Sequence, residues 1–140
     1  MIKFEILKKY ITTIQTDNIG EWMTEQENDS IIEGPIQMSF VSYSEMVGNF
    51  INDVYTFEAQ NKNMKLTRYD SILKDHGIDW DMDSMENVDV SHLNAQCVLA
   101  LIMGAVRADR FCEGALFDFF KSGFMLKWLE RLKNRVTIPR

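Results

Sequence analysis

The chain has 140 residues, a net charge of −6 and two cysteines. This length fits a single domain, 1–140, which can bury a sufficient core without disulfides or metal ions. The apolar share of 46% disfavours a disordered chain. Polar residues at His92, Asn94 and Gln96 interrupt the longest uncharged run, which disfavours a membrane span.

Charge is segregated along the chain. Residues 10–61 contain nine acids and no Lys or Arg, and residues 75–106 contain six acids and no Lys or Arg. From Arg107 onward the chain contains eight Lys or Arg residues and four acids. A general nucleic-acid binder needs a dominant basic face, so direct nucleic-acid binding is disfavoured. The acidic stretches fit either a partner protein with a basic surface or a solvated surface that keeps the protein soluble.

The first third of the chain predicts one helix and a long loop. Apolar residues at helical spacing predict a helix over 3–16, which ends at Asn18 and Gly20. Residues 21–23 are expected to add a short helical turn. The polar composition of 24–35 predicts the longest loop, and a short hairpin that uses 31–32 and 36–41 is the alternative.

The middle of the chain predicts two further helices. Ser42 and Glu45 fit a capping box for a helix that continues to about Asn61. Thr67 is expected to cap a short third helix, which Gly77 ends in the left-handed conformation. The stretch 78–90 is predicted as an acidic loop anchored in the core by four apolar side chains, Trp80, Met82, Met85 and Val88.

The run 97–106 is apolar on all sides, which predicts a helix buried all round. It is expected to extend from about His92 to Phe111, with Ser91 or Asp89 as its N-cap. A further helical segment should end at Ser122 and Gly123, and the last helix should cover 124 to about 135. These elements predict an all-α protein, an orthogonal helical bundle around the buried central helix.

Four ionisable residues, Arg107, Asp109, Arg110 and Glu113, directly follow this apolar run. On a helix Arg107 and Arg110 share a face, and desolvated charges must be paired. One interpretation is a structural ion-pair network with the acidic stretch 79–89 or with Glu45 and Asp53. The other is a binding site for a phosphate or carboxylate, formed by Arg107, Arg110, Cys112 and Glu113.

The cysteines and acids give little support for catalysis or metal binding. Cys97 and Cys112 are about four helical turns apart, too far for a disulfide, and are interpreted as reduced core thiols of a cytoplasmic protein without a signal peptide. A cysteine nucleophile at Cys112 would need a histidine base, and His76 and His92 both lie at predicted helix ends.

The spacing Asp79-x-Asp81-x-Asp83 is similar to the start of a calcium-binding loop. Such a loop requires glycine at its sixth position and glutamate at its twelfth, where this chain has Ser84 and Val90. We therefore predict neither a metal nor a cofactor.

The run from Met103 to Leu116 contains R-x-x-R-F-C-E-G, and Leu129 to Lys133 reads L-x-R-L-K. This pattern, over about 89–133, resembles a small bacterial and phage-associated family of unknown function. The resemblance implies that the family signature contains Arg107, Arg110, Cys112, Glu113 and Gly114, and it implies no activity. Small acidic phage proteins are often inhibitors of host machinery, which is an analogy only.

The sequence thus predicts a non-catalytic protein-binding or regulatory module, by analogy a phage-type inhibitor. The expected partner is a protein with a basic surface, bound through six acids, Glu21, Glu25, Glu27, Asp79, Asp81 and Asp83. The alternative is a protein that binds a small anionic ligand, such as a nucleotide or phosphate, through Arg107 and Arg110.

Overall fold

A computed structural model describes residues 5–16, 18–24 and 39–133. Its regular elements, in chain order, are α1 (Glu5–Lys8), α2 (Tyr10–Thr16), β1 (Gly20–Thr24), β2 (Ser39–Tyr43), α3 (Glu45–Gln60), α4 (Tyr69–Asp75), α5 (Met82–Asn87), α6 (Ala95–Ala108), α7 (Ala115–Lys121) and α8 (Phe124–Lys133). Short 3₁₀ helices lie at Lys62–Met64, Leu66–Arg68 and Val90–His92. The all-α prediction is confirmed, with one small hairpin added to the helices.

Helix α6 occupies the centre of the core. Every residue from Cys97 to Val106 is buried, because helices α4, α7 and α8 pack around it. The helix is shorter than predicted: Asn94 caps it by accepting a hydrogen bond from the Cys97 amide at 2.9 Å, and it ends at Ala108. The expected cap Asp89 instead caps the preceding 3₁₀ helix.

The hairpin corrects the sequence analysis at two places. Strands β1 and β2 are antiparallel, with Trp22 opposite Val41, so the helical turn predicted over 21–23 is wrong. Ser42 lies in β2, and Ser44 is the residue that caps α3. Both corrections follow from pairing across the hairpin, which a local helical pattern does not reveal. The predicted loop 24–35 and the alternative strand 31–32 fall, apart from Thr24, outside the described residues.

The predicted positions of the remaining helices are confirmed, with changes at their ends. Helix α4 ends before Gly77, which has the expected positive φ of 76°, but Thr67 does not cap it, since the N-cap position is Arg68. The acidic stretch 78–90 contains helix α5, which Asp81 caps. Its predicted apolar anchors do pack against the core. The N-terminal helix is divided into α1 and α2, which meet at Lys9.

Across the part of the chain that the structure describes, none of the helices combines the length and the apolar character needed to span a lipid bilayer.

Candidate functional site

The carboxylate of Asp109 organises the turn between α6 and α7. Its Oδ1 accepts hydrogen bonds from the Tyr43 hydroxyl at 2.8 Å and from the amides of Gly114 and Leu116 at 3.1 and 3.2 Å. The Tyr43 hydroxyl in turn accepts a hydrogen bond from the Phe117 amide at 3.0 Å. Burial, and then Asp109, raise the pKa of Tyr43, so the hydroxyl keeps the proton that it donates.

Two further residues of the turn between α6 and α7 contact the hairpin. The Glu113 carboxylate accepts a hydrogen bond from the Val41 amide of β2 at 3.0 Å. Gly114 has a positive φ of 87°, and the Trp22 ring of β1 lies so close that a Cβ at Gly114 would clash with it. The structure therefore places Glu113 and Gly114, both expected at a ligand site or in a family signature, at the contact between the turn and the hairpin.

The two arginines occupy different surroundings. Arg107 lies in the last turn of α6, where a cation is favourable, and hydrogen bonding to the Tyr55 and Tyr69 hydroxyls raises its pKa. Arg110 follows the end of α6 and is exposed.

The predicted ion-pair network of these arginines is not present among the described residues. The ion pairs found there are Lys8–Glu5 and Lys9–Asp53, and His92 Nε2 lies near the Asp89 carboxylate. Asp53, one expected partner of the arginines, thus pairs with Lys9 at 3.1 Å.

An open cavity of about 270 Å³, which we call the apolar pocket, lies between α5, the end of α6 and α7. Among the described residues that line it, only Asp81 and Cys112 are ionisable. Phe111 forms part of its rim and is 76% exposed, the largest exposure of any large apolar side chain in the described residues. The lining residues are Trp80, Asp81, Met82, Met85, Ala108, Phe111, Cys112, Ala115 and Phe119.

Trp80 forms a fixed wall of the apolar pocket. Its Nε1 donates a hydrogen bond to the Gly104 carbonyl at 3.0 Å, and its ring packs edge-on against Tyr69 and Phe111 with centroids 5.0 and 5.7 Å apart. A Cβ at Gly104 would lie 3.3 Å from both Trp80 and Met85. Glycine at this point of α6 therefore lets the indole lie directly against the helix.

The α5 side of the apolar pocket is acidic. Asp79, Asp81 and Asp83, three of the predicted partner-binding residues, are exposed on or next to α5. Burial and the carboxylates of Asp83 and Asp118 raise the pKa of Glu86 on the same helix, since like charges disfavour ionisation.

The other predicted partner-binding acids do not line this pocket. Glu21 is exposed on β1, while Glu25 and Glu27 lie outside the described residues.

The two cysteines differ, which corrects the expectation that both are core thiols. Cys97 is fully buried in α6, and burial raises its pKa to about 12. Cys112 is exposed and lines the apolar pocket, because α6 ends four residues before it.

Neither histidine lines the apolar pocket. His76 Nδ1 bonds to the Ile72 carbonyl at 2.9 Å, and His92 pairs with Asp89 at 3.5 Å. No cluster of three or more His, Cys, Asp or Glu side chains able to hold a metal ion is found within the described ranges. In the stretch 79–83, whose spacing is similar to the start of a calcium-binding loop, Asp81 accepts a hydrogen bond from the Ser84 amide at 2.7 Å and so acts as a helix cap.

Sequence reasoning missed the apolar pocket and the exposure of Phe111. The available signal was the position of Phe111 between Arg110 and Cys112 just after the apolar run, but assigning these residues to a continuing helix concealed it.

Comparison with known proteins identifies a family. A family model described as a family of unknown function, DUF6508, matches residues 3–137. No curated protein and no solved structure matches the chain.

Proposed function

This chain belongs to DUF6508, a family of unknown function, and we propose that it is a non-catalytic protein-binding module. The apolar pocket is its recognition site. The observation that carries this proposal is the exposure of Phe111 at the rim of an open apolar cavity. The partner that fits is a protein segment with one large apolar side chain next to Lys or Arg.

The exposed aromatic ring supports an interaction surface. A Phe that is 76% exposed leaves most of its apolar area in water, and burying a Phe side chain stabilises by about 1.5–3 kcal/mol. Aromatic side chains beside a pocket are frequent centres of binding energy at interfaces. A cavity of about 150 Å³ can hold a benzene ring, so the apolar pocket at about 270 Å³ has room for one large side chain.

The surrounding charge selects the partner. Asp81 lines the apolar pocket, and Asp79, Asp83 and Glu86 lie on or next to the same short helix. A basic segment would meet complementary charge there, whereas an acidic segment would be repelled.

Catalysis is not part of the proposal, because neither histidine lines the apolar pocket together with Cys112. That the protein is a phage-type inhibitor stays a prediction by analogy. Its cytoplasmic location stays a prediction from the cysteines.

The test uses two panels of short peptides. Each peptide of the first panel has one Leu, Phe or Trp between Lys and Arg residues, and in the second panel Glu replaces the cations. We expect the basic Leu and Phe peptides to change the tryptophan fluorescence of the protein, because Trp80 lines the pocket and contacts Phe111. We also expect them to slow iodoacetamide labelling, which reports Cys112 because Cys97 is buried. Binding should weaken as salt rises.

Three variants locate the binding. Phe111→Ser should weaken it about tenfold. Asp81→Asn keeps an oxygen for the helix cap but removes the charge, so it should reduce the salt dependence. Met23→Ser removes another exposed apolar side chain, outside the apolar pocket, and should bind normally. The proposal would be contradicted if none of the basic peptides bound, or if they bound equally well to wild type and to Phe111→Ser.

A second proposal, that Arg107 and Arg110 bind a small anion, is supported by one observation. Neither guanidinium forms an ion pair with a carboxylate of the described residues. If nucleotides raise the melting temperature of wild type but not of Arg107→Gln, this second function is supported. An unchanged melting temperature with every nucleotide would contradict it.

A further inference from the structure

A second cavity, on another part of the surface, has the opposite charge character. It has a volume of about 230 Å³ and lies between the 3₁₀ helices, α4 and the start of α6. We call it the basic pocket, and its lining residues are Lys65, Arg68, Ser71, Ile72, Asp75, His76 and Gln96. We infer that the basic pocket binds a phosphate group, either inorganic phosphate or the phosphate of a monoester. This inference goes beyond the proposed protein binding and does not depend on it.

Charge is the first observation in its favour. Lys65 and Arg68 line the basic pocket against one acid, Asp75, in a protein whose net charge is −6. Neither cation forms an ion pair with any carboxylate of the described residues. Two unpaired cations at one cavity attract a dianion, and Arg can bind two phosphate oxygens at once.

A neutral hydroxyl adds a hydrogen-bonding group at this cavity. The other neutral donor, His76 Nδ1, is already used, because it lies 2.9 Å from the Ile72 carbonyl, which can only accept. The Ser71 hydroxyl makes no hydrogen bond to the residues that are described, although the Ser71 amide does bond to Asp70. A hydroxyl next to two cations is a typical phosphate contact.

The backbone at Lys65 is the second independent observation. Lys65 has φ 56° and ψ 40°, and it is the one non-glycine residue with positive φ in the described chain. A left-handed conformation is costly for a residue with a Cβ, and such costs concentrate at functional sites. Gln96 Nε2 also donates to the Met64 carbonyl at 2.8 Å, which ties this turn to α6 and fixes the pocket wall.

The experiment measures binding of inorganic phosphate and of AMP at constant ionic strength, by calorimetry and by the melting temperature. We expect saturable binding of at least one of them, with a higher melting temperature. Equal affinities would show that the phosphate group alone is recognised. A tighter affinity for AMP would identify a monoester as the ligand.

Variants distinguish the loss of phosphate binding at this site from a loss of folding stability. Lys65→Gly removes the cation and also suits the left-handed backbone, so we expect about tenfold weaker phosphate binding without loss of stability. Arg68→Gln should weaken binding by a similar factor. Lys74→Gln, on α4 but outside the basic pocket, should bind as wild type. Absence of saturable binding up to about 10 mM phosphate, or binding unchanged in Lys65→Gly and Arg68→Gln, would overturn the inference.

Discussion

Two glycines show how differently single residues constrain this fold. At Gly114 the φ of 87° and the Trp22 ring both oppose a side chain, so Gly114→Ala should lower the free energy of unfolding by about 2–4 kcal/mol. At Gly48, within α3, an added Cβ meets nothing within 4 Å. Gly48→Ala should therefore raise the free energy of unfolding by about 0.5–1 kcal/mol. Urea denaturation of both variants measures the difference. Similar values for the two would show that Trp22 does not pack on Gly114 in solution.

The cysteines show which residue environments a sequence pattern can predict. Cys97 lies inside an apolar run, so its burial follows from composition and is confirmed. Cys112 was expected in the core because the helix was extrapolated to Phe111 and beyond. The helix ends at Ala108, and Asp109 accepts hydrogen bonds from two amides of the next turn. Helical spacing stops applying at that point, so it could not predict the exposure of Phe111 and Cys112.

At the scale of elements, the hairpin depends on two side chains far away in sequence. Asp109 accepts from Tyr43, which is 66 residues earlier, and Glu113 accepts from Val41, 72 residues earlier. The helices were predictable because their signal is local: apolar spacing and glycine at their ends. The hairpin was predicted only as an alternative. Its predicted strand 36–41 overlaps β2, but its predicted partner 31–32 is not β1. The pairing could not be predicted correctly, since the strands are short and their stabilising contacts are long-range.

The hydrogen bonds between the hairpin and the turn that follows α6 give a testable prediction. Tyr43→Phe removes the hydroxyl that joins Asp109 to the Phe117 amide. It should lower the free energy of unfolding by about 1–3 kcal/mol, because the buried amide loses its partner. Asp109→Ala leaves three donors unpaired and should cost more, about 3–5 kcal/mol.

The double variant distinguishes a shared network from independent contacts. In Tyr43→Phe combined with Asp109→Ala, the loss should be smaller than the sum of the single losses, because both changes break the same bond. Asp118→Ala, which removes an exposed carboxylate from α7, is the control and should change stability little. Additive effects of Tyr43→Phe and Asp109→Ala would contradict the network.

For the whole molecule, one buried thiol and two buried or partly buried tyrosine hydroxyls make the free energy of unfolding depend on pH in the alkaline range. Burial raises the pKa of Cys97 to about 12. Burial, followed by the nearby carboxylates of Asp53 and Asp109, raises the pKa of Tyr10 and of Tyr43 above the ordinary value for tyrosine. In the unfolded chain these groups ionise at about pH 8.5 for cysteine and about pH 10 for tyrosine. The folded protein therefore holds more protons than the unfolded chain above those values.

A protein that binds more protons when folded loses stability as pH rises. We expect the contribution of these groups to be complete below about pH 8.5 and the free energy of unfolding to fall above it. The slope should be about 1.4 kcal/mol per pH unit from Cys97, and it should steepen above about pH 10, where the tyrosines add to it. Urea denaturation between these pH values measures the slope.

Cys97→Ala should flatten the first part of the decline in the free energy of unfolding. Gly48→Ala removes no ionisable group, so it should shift the whole curve without changing its shape. A wild-type stability that stays constant from about pH 8 to 10 would show that the Cys97 thiol is not desolvated in the folded protein.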